Sequence, residues 1–286
     1  MIYKIKDIEL DYSKISAPHI DYVPKLKLFV ANDSDESSKY TPDRPTVLIL
    51  PGGGYSMTSE REAEPIAMHF LARGMNAAIL YYSVRPAVFP VALLEALTAI
   101  KYLRETARQY HADTNKIYVC GFSAGGHLAA CVGTLWNGKE ARGYFGDDTQ
   151  ILRPDGLILA YPVIINDFDG EKMMHKGSFN NLLGEENRDN REMLEYLCLD
   201  RRVSKSTPPT FIWSTFEDAG VPCDNTLRFA TALKKNGVPF EMHIYEKGPH
   251  GAATGDLVTN DKTYRLKNWL KEVCDWIEDT RSAYID

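Results

Sequence analysis

Seven apolar, β-branched runs recur along the 286-residue chain, and helical patterns separate most of them. This alternation limits the possible folds more than any other feature. The runs are KLKLFVA (25–31), TVLILP (46–51), NAAILYYS (76–83), KIYVCGF (116–122), GLILAYP (156–162), PTFIWST (209–215) and PFEMHIYE (239–246). Several are nearly continuous in Val, Ile, Leu and Tyr, as strands are when both faces of a parallel sheet are covered. SEREAEPIAMHFLARG (59–74) opens with Ser59 and Glu62 in capping-box spacing and closes on Gly74, a residue suited to the C′ position. PVALLEALTAIKYLRETARQY (90–110) carries an apolar stripe at three-to-four spacing. SAGGHLAACVGTLW, VPCDNTLRFATALKKNG and DKTYRLKNWLKEVCDWIED complete the helices.

Strand and helix in turn over most of the length predict a doubly wound α/β fold, a mostly parallel sheet flanked by helices. A single domain spanning 1–286 is expected. Residues 163–208 break the rhythm: they are polar and loop-rich, with one short helical pattern. A segment this long between two strands is either a functional insertion or a disordered loop. Phe179, Leu182, Leu183, Met193, Leu194, Tyr196 and Leu197 give this one apolar material to pack, so an ordered flap or small cap near the site is expected. The acidic, serine-rich stretch 32–45 reads as an exposed turn.

The formal net charge is −6 and no Lys/Arg run stands out, which argues against a sequence-independent grip on nucleic acid. MIYKIKDIELDYSKI at the N-terminus alternates apolar and charged residues, unlike a secretory leader, and no stretch approaches the roughly 18 apolar residues of a membrane span. Cys120, Cys131, Cys198, Cys223 and Cys274 are scattered and include no C-x-x-C. They read as free, mostly buried thiols in a reducing cytoplasm. The expected setting is therefore cytoplasmic, with no membrane or nucleic-acid partner; the sequence leaves an oligomer open.

Gly121-Phe122-Ser123-Ala124-Gly125 matches G-x-S-x-G between a predicted strand and a predicted helix. In that context the serine occupies a strained turn, and flanking glycines let neighbouring backbone pass close by. Ser123 is therefore the candidate nucleophile, and a serine hydroxyl needs an adjacent base. On this fold the partners follow in the order acid, then histidine. His250, in the loop KGPHGAA after the last strand, is placed for the base; His175 lies in the insertion and His243 inside a strand. Glu217 and Asp218, after the preceding strand, are both candidates for the acid.

An acyl-transfer site also needs backbone N–H donors aimed at the oxyanion. One is expected from Ala124, after the nucleophile, and another from the loop Pro51-Gly52-Gly53-Gly54-Tyr55. The dinucleotide reading of these glycines fails because Met57 stands where G-x-G-x-x-G needs glycine, and a P-loop fails for lack of Gly-Lys-Ser/Thr. His127 reads as a packed helix residue. Arg61 and Glu62 either line the site or form a helix cap with a solvated charge pair. No His/Asp/Glu spacing suits a metal, so a mechanism without metal or cofactor is expected.

LPGGGYSMTSEREAEPIAMHFLARG, YYSVRP, CGFSAGGHLAA, TPPTFIWSTFEDAGVP and KGPHG together resemble the acetylesterase-like branch of the α/β-hydrolases, related to the hormone-sensitive-lipase-like esterases. The matching segments span about residues 45 to 255. The resemblance implies Ser123 as nucleophile, His250 as base and Asp218 as acid, with Gly53, Gly54 and Ala124 supplying the oxyanion N–H groups. It implies a short-chain acyl ester as substrate, an acetyl group on a carbohydrate such as a xylo-oligosaccharide. Pro51 stands where lipase-like relatives have histidine, as in the acetylesterase-like branch, and Ser214 stands where that branch commonly shows histidine. A general short-chain carboxylesterase or lipase-like enzyme fits the same fold and triad. A non-catalytic ligand-binding protein on this scaffold would be expected to lack a triad member.

Overall fold

The computed structural model describes residues 1–18, 20–31, 43–166, 175–256, 266 and 268–279. Its centre is an eight-stranded sheet built from β1 (Ile2–Asp7), β2 (Lys25–Val30), β3 (Arg44–Leu50), β4 (Asn76–Tyr81), β5 (Ala112–Phe122), β6 (Gly156–Ala160), β7 (Thr210–Thr215) and β8 (Phe240–Tyr245). The spatial order is β1-β2-β4-β3-β5-β6-β7-β8. The six strands from β4 to β8 are all parallel, and β1 and β2 run antiparallel at one edge.

Successive strand side chains point to opposite faces, and each face here has its own helical layer. Leu48, Leu50, Val119, Leu157, Leu159 and Ile212 pack with α2 (Val91–Glu105), α3 (Ala124–Leu135) and α7 (Asp224–Lys235). Val47, Ile49, Cys120, Phe122, Ile158 and Trp213 pack with α1 (Glu64–Ala72) and α8 (Asn268–Asp279). The near-continuous apolar runs therefore reflect burial on both sides. All seven form strands. The alternating N-terminus adds β1, whose Ile/Lys pattern leaves it largely exposed along its pairing with β2. A charged edge of this kind discourages pairing with other chains.

One local expectation gives way. The Ser59 side chain makes no capping hydrogen bond; a 3₁₀ turn spans Glu60–Glu62, and α1 starts only after Ala63, with Pro65 in its first turn. Glu62 faces inward and has found buried donors in place of a capping N–H. The short helix α4 (Lys139–Phe145) lies where no helical pattern was read. Gly74 does follow the end of α1 with φ +78°.

Between β6 and β7 stand α5 (Lys176–Asn187), broken at Gly184, and α6 (Arg191–Tyr196). Phe179, Leu182, Leu183 and Leu197 join the same core as α2 and α3. Residues 167–174 of this insertion, residues 32–42 of the acidic turn and most of 257–267 lie outside the described residues. All five cysteines are free, with only Cys223 partly exposed. Among the described residues, no helix is long and apolar enough to cross a membrane.

Candidate active site

The site lies at the carboxyl ends of β3, β5, β7 and β8, the usual ligand side of an open parallel sheet. Ser123 joins β5 to α3 with φ 52° and ψ −116°, a conformation that non-glycine residues adopt only when the surroundings enforce it. Close packing supplies that enforcement. A Cβ on Gly121 would fall 2.2 Å from the Gly125 carbonyl oxygen, and one on Gly125 would fall 2.1 Å from that of Leu50. The glycines of G-x-S-x-G are thus needed for contact between the turn and the strands beneath it.

Ser123 Oγ lies 2.7 Å from His250 Nε2, and His250 Nδ1 lies 2.7 Å from Asp218 Oδ2. Nδ1–H donating to the carboxylate assigns the tautomer, leaving Nε2 to accept from the serine hydroxyl. Asp218 is buried, and its Oδ1 accepts from the Gly220 and Val221 N–H groups at 2.9 and 2.8 Å. Glu217, the other acidic candidate, is exposed. His243 lies on β8 against Glu241. His175 caps α5, its Nδ1 taking the Ser178 N–H and facing the Ser178 hydroxyl at 2.8 Å. Burial and the neighbouring His250 hold the His175 imidazole below its ordinary pKa.

Gly53 and Gly54 have φ +130° and +63°, both in the region that favours glycine. A Cβ on Gly53 would fall 2.2 Å from the Met57 carbonyl oxygen. Tyr82 donates to the Pro51 carbonyl at 2.6 Å, and Asn181 of α5 donates to that of Gly54 at 2.8 Å. Among the described residues, no protein acceptor takes the N–H of Gly53, Gly54 or Ala124. The Gly52 N–H is occupied: it donates to Glu62 Oε2 at 2.7 Å.

Residues that sequence order could not place surround this set. His127 is fully buried; Tyr55 donates to its Nδ1 at 2.9 Å, and its Nε2–H reaches the Leu197 carbonyl at 3.2 Å. Burial lowers its pKa to about 4, so it is a neutral strut between the glycine loop and the segment after α6. Arg61 is exposed, whereas Glu62 is buried and no part of a solvated pair. Tyr161, at the end of β6, bonds Glu62 and approaches His250 edge-on, ring centroids 5.2 Å apart. Only the acidic residue at a helix start signalled Glu62, and it pointed to a cap; Tyr161 and Asn181 carried no signal.

The arrangement can transfer a proton from a serine to an imidazole and present N–H groups beside that serine. The profile of the BD-FAE family matches residues 35–233. The chain is 34% identical over 248 residues to the endo-1,4-beta-xylanase B of Butyrivibrio fibrisolvens, covering 85% of this chain and 36% of that protein. It is 28% identical over 263 residues to an acetylxylan esterase of Xylanibacter ruminicola, covering 86% of this chain and 51% of that protein. The chain thus spans about a third to a half of these curated relatives. Among solved structures it resembles an acetyl ester-xyloside bifunctional hydrolase from Caldicellulosiruptor lactoaceticus, with TM-score 0.81 and 34% identity, covering 97% of this chain and 96% of that one.

Proposed function

The chain belongs to the BD-FAE family of α/β-hydrolases, and on that premise we propose that it is a serine esterase hydrolysing short-chain acyl esters. The observation that carries this reading is the hydrogen-bonded series Asp218–His250–Ser123, with both side-chain links at 2.7 Å. Ser123 Oγ attacks the ester carbonyl carbon while its proton passes to His250 Nε2. Asp218 holds the ring and stabilises the imidazolium without taking the proton. The N–H groups of Gly53, Gly54 and Ala124 receive the carbonyl oxygen as it becomes an oxyanion. The tetrahedral intermediate collapses as His250 returns the proton to the leaving alkoxide, giving an acyl-serine and an alcohol. Water then attacks the acyl-serine with His250 again as base, releasing the acid.

We assign the acyl group as acetyl and the alcohol as a carbohydrate such as a xylo-oligosaccharide. Likeness to an acetylxylan esterase and an acetyl ester-xyloside hydrolase supports this choice. Turnover of 4-nitrophenyl acetate is expected to fall about 10⁵- to 10⁶-fold in Ser123→Ala; equal rates in both proteins would sink the serine-esterase reading. Mass spectrometry of acetylated xylo-oligosaccharides after incubation is expected to show loss of acetyl groups. Faster cleavage of octanoate than of acetate esters would replace the deacetylase assignment with a lipase-like one.

A further inference from the structure

Glu62 is only 3% exposed, and an acidic side chain is rarely that buried unless it is paired. Among the described residues it has no ion-pair partner within contact distance; its partners are neutral donors. Oε2 accepts the Gly52 N–H at 2.7 Å, and Oε1 accepts the Tyr161 hydroxyl at 2.7 Å. The Tyr161 oxygen in turn accepts the Ala253 N–H at 3.0 Å, three residues beyond His250. A Cβ on Gly52 would lie 2.7 Å from Glu62 Oε2 and 3.0 Å from Ser123 Cβ. The carboxylate therefore sits against the glycine loop where that loop meets the serine turn, and it is linked through one tyrosine to the histidine loop.

We propose that Glu62 is a positioning residue for catalysis. Its carboxylate fixes the glycine loop relative to the histidine loop, and its charge stabilises the imidazolium that forms on His250 as Ser123 is acylated. A neutral amide of the same shape could satisfy one of the two donors but not both, because its NH₂ group cannot accept. Burial raises the Glu62 carboxyl above its ordinary range, while the Tyr161 and Gly52 hydrogen bonds and the nearby His250 and Arg61 charges draw it back down. Tyr82 and Cys120 also feel the Glu62 charge. His250 faces Asp218, Glu62 and His175.

This inference rests on the serine-esterase reading, and one experiment separates the two. Wild type, Ser123→Ala, Glu62→Gln and Tyr161→Phe are compared on 4-nitrophenyl acetate across pH. In Glu62→Gln, kcat is expected to fall about 30- to 100-fold with KM within about two-fold of wild type, the pattern of misplaced groups. The acidic limb of kcat/KM is expected to move at least about half a pH unit lower. A negative charge near the base favours its protonated, inactive form, so removing that charge frees the base at lower pH. Loss of the Glu62 ionisation itself acts in the same direction, and Asp218, His175 and Arg61 are unchanged in every variant.

Tyr161→Phe keeps the carboxylate and its Gly52 bond but cuts the link to the histidine loop; kcat is expected to fall about 5- to 10-fold. A Ser123-dependent Glu62→Gln enzyme with wild-type kcat and an unmoved limb would overturn the Glu62 assignment and leave the esterase reading standing. Turnover that does not depend on Ser123 would overturn both. If Glu62→Gln fails to fold, Tyr161→Phe decides: a wild-type kcat there overturns the tether.

Discussion

The Asp218 carboxylate accepts from His250, Gly220 and Val221 together. In Asp218→Asn an NH₂ group must face either the imidazole N–H or the backbone donors. The kcat for 4-nitrophenyl acetate is expected to fall about 10³- to 10⁴-fold, as the wrong histidine tautomer is favoured. Glu217, one residue earlier and exposed, provides the control, and Glu217→Gln should leave kcat within about two-fold of wild type. His127 supports a pH prediction. Its pKa falls from 6.5 to about 4, so the folded state resists protonation that the unfolded chain accepts. The stability it contributes is complete above pH 6.5 and is lost as pH falls from 6.5 through 4. Glu95, pushed up to about 7 by burial, runs the other way: its contribution is present below pH 4.5 and is lost as pH rises through 7. The difference between wild type and His127→Gln cancels the Glu95 effect. Urea unfolding at pH 7 and pH 4 should show that difference shrink by up to about 3 kcal/mol.

Among the elements, α3 and β5 are joined by glycines whose need is purely steric. In Gly125→Ala the methyl would meet the Leu50 and Pro51 carbonyl oxygens at 2.1 and 2.5 Å, and strand backbone cannot step aside as a flexible side chain can. Thermal unfolding should register a loss of about 2–4 kcal/mol. Gly143 in α4 has open space around its Cβ position, so Gly143→Ala should be neutral or stabilise by up to about 1 kcal/mol. Seven strands and the α3 turn were legible in the sequence: the runs of β3 to β7 are buried on both faces, β2 and β8 keep apolar and aromatic content although partly exposed, and the serine turn has its own residue chemistry. β1 was hidden because it is exposed along nearly its whole length, its Ile2, Tyr3 and Ile5 standing at the surface among lysines. The Ser59/Glu62 box misled because its spacing is a property of one turn, whereas Glu62 is held by Gly52 before it and Tyr161 far beyond it.

In the molecule as a whole, the carboxyl-end rim of the sheet gathers residues from Gly52 to Ala253 around Ser123. Trp269 of α8 helps to hold that rim, donating to the Ala253 carbonyl at 3.0 Å while packing on Phe122 and Trp213. The insertion shares the same interior, since Phe179, Leu182, Leu183 and Leu197 lie in the core of α2 and α3. We therefore propose a single domain in which the helices at 175–201 form a cap on the site and unfold with the sheet. Circular dichroism and loss of esterase activity should then follow one coincident urea transition; an earlier, separate loss of insertion protection in hydrogen exchange would contradict this. The sequence by itself determined the doubly wound architecture, the serine turn and the loops bearing histidine and acid, because periodicity, glycine demand and chain order are local or one-dimensional properties. The residues by themselves left Glu217 and Asp218 both open, with only the family resemblance favouring Asp218; the tertiary structure decided that Asp218 faces His250, that His127 is a neutral strut and that Glu62 is buried beneath the glycine loop. Those outcomes depend on which groups lose water together and which donors meet them there, and the partners lie as far apart in sequence as Glu62 and Tyr161.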